Sequence, residues 1–357
     1  MRPLSATECI QPAIDRTKIF LFSPFRKGRT WKLCAASYAC RFGSLYFPVP
    51  LLYLALIPTL GRSRSLVIAL IVLFIAAFLV LFTWVFHLCS RLQFAYFDML
   101  ANLGEFVIPA WRKYREPALR WTFFKIATGS IFTAITAVPV IAWLRNVIPM
   151  LSHMKSAHAS ASAPEFAHTM AIFYIGYGLV VLLFGMGMLI FGLLGDFVLP
   201  SLALENTALS EAFRRMGLLI QQEPGGFALY VLLKTVLGLV GYFAAIIAWE
   251  IAFLIVSLLV GGVVLAVGFA LHMAGVPAIL LTILGVLLAI AWYGFAMYTM
   301  IFPVGIVITW MDAYALYFLG GRYPVLGDLL DGSTPPPSAP VLNVYAPAYP
   351  PPLPPMA

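Results

Sequence analysis

Charged side chains are scarce in this sequence. Asp, Glu, Lys and Arg make up 10% of its 357 residues against 62% that are hydrophobic, and the mean hydropathy is +0.96. A soluble globular domain carries about 25% charged residues, so that class is excluded and the bilayer is taken as the solvent. Period-two alternation is missing as well: the apolar runs separate at Gly, Pro and charge clusters and read as helices, not as barrel strands. The expected fold class is all-α, a polytopic helical membrane protein with about six transmembrane helices (range about five to seven) and additional interfacial amphipathic helices.

The sequence contains no CxxC, HExxH, Gly-rich phosphate loop or Ser-His-Asp order, so catalysis is disfavoured and no cofactor is expected. The cysteines Cys9, Cys34, Cys40 and Cys89 have neither zinc nor disulfide-framework spacing and read as small apolar core residues. Residues 1–41 hold charge throughout. They therefore lack the uninterrupted apolar core of a cleavable signal peptide, and an early span is expected to direct insertion.

Acidic residues are the minority charge, 14 against 22 Lys and Arg. The bases gather in two places, eight in 1–41 and five in the loop 90–121 (Arg91, Arg112, Lys113, Arg115, Arg120). Bases beside spans indicate cytoplasmic placement and attraction to anionic lipid, not nucleic acid. The expected lipid-headgroup contacts are Arg26, Lys27, Arg29 and Lys32, then Arg112, Lys113 and Arg115, and Arg214 and Arg215.

Three regions follow in chain order. Residues 1–41 form a basic cytoplasmic segment with a short interfacial helix at 8–22, where Ile10, Ala13, Ile14, Thr17 and Leu21 share a face and Asp15, Arg16 and Lys18 lie off it. Residues 42–319 form the helical membrane domain, with spans expected near 42–60, 66–89, 122–148, 169–194, 227–260 and 278–309. The first contains Pro48, Pro50 and Pro58 and either crosses or dips in. Gly261 and Gly262 are expected to break the fifth ahead of a half-helix at 263–273; the alternative reads 227–273 as two spans. The region 333–357 holds ten prolines and no charge, a disordered polyproline tail serving as a tether or as a ligand for a protein partner.

The chain is organised around 195–234. Leu209, Ala212, Phe213, Met216, Leu219 and Ile220 recur at helical spacing opposite Ser210, Glu211, Arg214 and Arg215, with Asn206 or Thr207 as cap and EPGG as terminator. An internal echo supports a duplicated unit. GEFVIPA (104–110) matches GDFVLPS (195–201), and EPALRWTFFK (116–125) echoes EPGGFALYVLLK (223–234). In each, an acid followed by a helix-breaking Pro is expected to end a span and turn the chain along the surface.

At AIDRTKIFLFSPFRKGRTWKL (13–33) and FVLPSLALENTALSEAFRRM…EPGGFALYVLLK (197–234) the chain resembles a group of uncharacterised bacterial multi-pass proteins. Their membrane region is similar to the membrane domain attached to some glycerophosphoryl diester phosphodiesterases. The resemblance implies a helical module of the bacterial inner membrane. It does not extend to the activity, because the sequence has no run of carboxylates and histidines and no room for a barrel of about 250 residues.

Ionisable residues inside apolar segments are few: Lys125, Arg145, Lys234 and Glu250, with His272 beside a turn. Acids and bases at membrane depth are costly and mark sites, which singles out Glu250 and Lys234 within a span and Asp196 and Glu105 at boundaries. His153, His158 and His168 have no helical metal spacing. The functional expectation is a non-enzymatic membrane module with both termini cytoplasmic, a scaffold or component of an envelope-lipid or transport assembly, meeting partners through loops or tail. The alternative is a permease whose path is lined by Glu250 and the Gly-rich segment 176–195. An enzyme of lipid chemistry would need His87, Asp98, Glu105 and Asp196 at one place.

Overall fold

The computed structural model describes residues 2–23, 25–42, 65–104, 107–156 and 163–333. Among them ten helices and no strand occur: α1 (Ile10–Phe22), α2 (Lys27–Phe42), α3 (Ser65–Asn102), α4 (Val107–Lys113), α5 (Arg115–Ser156), α6 (Ala163–Glu205), α7 (Leu209–Gln222), α8 (Pro224–Met273), α9 (Ala278–Gly320) and α10 (Pro324–Ser333). Five of these, α3, α5, α6, α8 and α9, are long and apolar enough to cross a membrane. The chain is an all-α, multi-pass membrane protein. The expected span at 43–60 and the Pro-rich tail from 334 lie outside the described residues.

The long helices converge at one end; beyond it α8 meets α9 through Phe253 and Trp292, ring centroids 5.1 Å apart, and α5 meets α6 through Trp143 and Phe173 at 5.9 Å. At the convergence the ends of α3, α6 and α9 and the starts of α5 and α8 pack with α1, α2, α4, α7 and α10 around a core of Phe20, Phe94, Leu100, Tyr114, Trp121, Phe197, Leu202, Tyr230, Tyr314 and Phe318. Tyr230 stacks on Phe318 with ring centroids 4.3 Å apart, and Phe197 meets Tyr230 edge-on at 5.4 Å. Away from this base the helices expose apolar side chains: the most apolar windows of α8 and α9 contain no buried residue, and Leu265 is 76% exposed. Only lipid makes such a surface stable, since every backbone group is already satisfied within its helix.

The helices run on through positions expected to stop them. α8 continues through Gly261 and Gly262 to Met273, an unbroken helix of 50 residues, about 75 Å long at 1.5 Å per residue. Pro200, expected to end a span, lies inside α6, and Pro303, within the span expected at 278–309, lies inside α9. A buried or lipid-facing helix has no water to accept the freed backbone groups, so extending the helix past Pro is favoured over breaking it. The echoed motifs therefore take different positions: GDFVLPS is interior to α6, whereas the described part of GEFVIPA opens α4. What the two units share is the turn. α3 ends at Leu103 (φ 53°) and α6 at Asn206 (φ 51°), both left-handed, and Gly104 N–H closes back onto Met99 O at 2.9 Å. The amphipathic helix α7 forms as expected, but no side chain caps it; Thr207 Oγ1 turns back to Ser201 O instead.

The N-terminal segment is built into the base and does not simply lie on a surface. α1 packs along α9, and α2 returns beside α9 with Trp31 stacked on Tyr298 at 4.6 Å and Ser37 Oγ donating to Gly305 O at 3.1 Å. Gly305 permits this approach, because a Cβ there would sit 2.5 Å from Cys34 Cβ. Arg16, expected on the polar face of α1, is buried: its Nε donates to Leu100 O at 2.8 Å and its Nη2 to Ala101 O at 2.6 Å. It thereby supplies donors to the last carbonyls of α3, which have no partner within that helix. Arg322 plays a similar part, joining Glu223 at the start of α8 to the Leu4 carbonyl.

Replacing Arg16 by Met strands those carbonyls, and detergent-solubilised protein should lose about 2–3 kcal/mol of stability; an unchanged melting temperature would remove Arg16 from this role. Burial pushes the Cys9 and Cys34 thiols up to about 12. At pH 8 both should therefore resist alkylation until the protein is unfolded, as intact-mass labelling reads directly.

Candidate functional site

Where the five long helices converge, four charged side chains meet below the apolar arms. Lys234 of α8 pairs with Asp196 of α6, which also accepts from Tyr230 Oη at 2.9 Å. Arg41 at the end of α2 donates to Asp312 of α9 at 2.5 Å. The local sequence explains each position. Lys234 lies one turn beyond Tyr230 on the same face of α8, and Asp196 falls on the α6 face turned to α8. Side-chain exposures of 12% for Lys234 and 8% for Asp196 leave little water to screen that pair.

Above this floor a cavity of about 830 Å³ opens between α2, α3, α6, α8 and α9, within the range of ligand pockets, about 300–1,000 Å³. Its walls are apolar, with Phe82, Phe184, Met188, Leu239, Val304 and Ile308, while Arg41, Asp196 and Lys234 form its charged end. Gly185 lines one wall with open space where a Cβ would point. Beneath lies a narrower crevice of about 90 Å³ that shares Arg41, Gly192 and Asp196 and adds Asp312, Gln93 and Lys125. Lys125 Nζ donates to Gln93 Oε1 at 2.9 Å and sits over the Phe86 and Trp121 rings. Arg41 Nε is buried and finds no acceptor among the described residues.

Of the residues singled out by sequence, the structure joins Asp196 and Lys234. Glu250 stands exposed on α8, about 24 Å along the helix from Lys234 at 1.5 Å per residue, and does not line the cavity. Glu105 lies outside the described residues, as does the Lys27 side chain. Arg26, Lys32, Arg112, Lys113, Arg115 and Arg214 are exposed, and Arg29 and Arg215 are half-buried. Several of these bases are engaged within the protein: Lys113 with Asp98, and Arg214 and Arg215 with Glu211, whose carboxyl they hold down at about 2. His87 meets Thr122, and Asp98 meets Tyr114 and Lys113, so these two and Asp196 belong to separate sets of partners. No group of three or more His, Cys, Asp or Glu able to hold a metal occurs among the described residues.

Arg41 and Asp312 were not distinguished by sequence. Arg41 is one of eight bases in the N-terminal segment, and Asp312 follows an apolar run as Asp196 does. An acid at the end of an apolar run was the available signal.

Because the Lys234–Asp196 pair is buried, removing one partner strands the other. Asp196→Asn or Lys234→Met alone should lower stability by about 3 kcal/mol. The double variant, which keeps an acceptor for Tyr230, should recover most of that loss in thermal unfolding; a double variant as unstable as the worse single would show that the pair does not act as a unit.

No curated protein and no solved structure matches the chain. A family model covers residues 4–329, the base and all five long helices together. On that match the chain belongs to the family described as "Family of unknown function (DUF7544)".

Proposed function

We propose that this protein is a non-enzymatic integral membrane module that holds an amphiphile, taken from the surrounding bilayer, in the cavity between α2, α3, α6, α8 and α9. One observation carries the reading: an apolar cavity of about 830 Å³ ends on the charged side chains Arg41, Asp196 and Lys234. Apolar walls suit acyl chains, and a charged end set among apolar helices suits a headgroup. The exposed bases Arg26, Arg112, Arg115 and Arg214 support a base seated on anionic headgroups at the cytoplasmic face of the inner membrane, with both termini on that side. The likeness of 13–33 and 197–234 to the membrane region of some glycerophosphoryl diester phosphodiesterases fits a lipid-facing role and adds no activity. A protein partner would meet the cytoplasmic loops or the Pro-rich tail.

A permease is the second reading, and the narrow crevice running from the cavity floor towards Gln93 and Lys125 favours it. In that case the path follows Asp196 and Lys234, not Glu250.

Gly185→Trp separates cavity binding from general lipid adhesion, because its side chain enters open space on the cavity wall. Native mass spectrometry of gently extracted protein should show a stoichiometric lipid-like adduct in the wild type and its loss in Gly185→Trp, with helicity by circular dichroism unchanged. An adduct equally abundant in both places the lipid elsewhere.

A further inference from the structure

The cavity floor carries carboxylates as well as cations, and this arrangement goes further than a general attraction for lipid. We infer that the site selects a zwitterionic headgroup with a primary amine, of the phosphoethanolamine class. The inference rests on the amphiphile-binding reading above and names the headgroup that the same site takes.

Two ion pairs set the charge of the floor. Arg41 is matched to Asp312 and Lys234 to Asp196, so this set is neutral as it stands. A phosphate descending between the apolar walls meets Arg41 and Lys234 and draws them from their carboxylates. Arg41 already presents a buried Nε–H with no acceptor among the described residues, a donor that a phosphate oxygen satisfies. Once the cations turn to the phosphate, Asp196 keeps only the neutral Tyr230 hydroxyl and Asp312 loses Arg41, and a carboxylate without a counter-charge in a poorly hydrated site is costly.

The headgroup itself supplies that counter-charge when it carries an ammonium. Asp196 lines both the wide cavity and the crevice, while Asp312 lines the crevice beneath. An amine one short linker away from the phosphate therefore reaches carboxylates that the phosphate itself does not contact. Three N–H donors on a primary ammonium are divided between the two acids. Lys125, turned to Gln93 and the Phe86 and Trp121 rings, leaves this role to the ligand. A phosphate with no amine puts a third negative group beside two carboxylates that have lost their counter-charges. A neutral diacylglycerol engages none of the charges. The crevice, at about 90 Å³, favours a small headgroup over a sugar-bearing one.

The test uses the full chain in mild detergent, titrated with an equimolar mixture of phosphatidylethanolamine, phosphatidylglycerol and diacylglycerol of matched chains and read by native mass spectrometry. Wild type should retain phosphatidylethanolamine over either competitor by about tenfold or more, a difference of about 1.4 kcal/mol. The double variant Arg41→Gln/Asp312→Asn should lose that preference, and Gly185→Trp should lose the adduct altogether. Equal retention of all three lipids, abolished by Gly185→Trp, would overturn the headgroup inference while the amphiphile site stands. Preferential retention of phosphatidylglycerol would overturn it as well. Retention of no lipid, or retention indifferent to Gly185→Trp, would sink both readings. If the double variant does not fold, the wild-type competition still decides among these outcomes.

Discussion

A charge placed among apolar helices has to be neutralised where it stands, and the architecture depends on how this is done. The apolar stretches of the five long helices carry few charges, yet α6, α8 and α9 each deliver one ionisable group to the same level, and α2 delivers a fourth. Pairing fixes the rotation of each helix about its own axis at that level. Lys234 must face α6, and Asp312 must face α2. Aromatic stacking of Tyr230 on Tyr314 and Phe318 then sets the spacing of α8 and α9 directly beneath. Alignment at the base is thus imposed by electrostatics and fixed by rings, while above it α8 is held to α9 and α5 to α6 by apolar and aromatic contacts.

The base solves a second problem, which is the large number of helix ends gathered in one place. Every helix leaves carbonyls unpaired at its C-terminus. α3 has its last carbonyls met by Arg16 from α1 and by its own left-handed turn at Leu103. The end of α9 is tied through Arg322 to Glu223 and to the N-terminal segment at Leu4, and Glu205 at the end of α6 accepts from Tyr323 and Arg215. Residues remote in sequence are therefore held together by side chains that close helix termini, which is why α1 and α2 belong to the packed core.

Helical class, multi-pass character and the amphipathic helix α7 were legible in the sequence, because each is a matter of composition or period. Asp196 and Lys234 were legible one at a time, as costly charges in apolar surroundings. Their pairing was not, since 38 residues separate them and no local pattern links α6 to α8. Arg16 and Arg41 were hidden for the opposite reason: in a segment dense with bases, composition cannot tell a solvated arginine from one that closes a distant helix. Pro200 and the Gly261–Gly262 pair were read with the rules of soluble helices, where water rewards a broken backbone. In lipid the same residues leave the helix intact.

The α8–α9 hairpin carries no Asp, Glu, Lys or Arg from Ile251 to Thr309, and its turn at 274–277 is closed by backbone bonds alone. Its distal end thus has no charged group to hold it at the headgroup level of the far leaflet. The hairpin itself is thus anchored at its base end alone. Changes in membrane thickness are then absorbed by tilting the hairpin about the base, and the pivot of that tilt is the level at which Lys234 and Asp312 meet their partners.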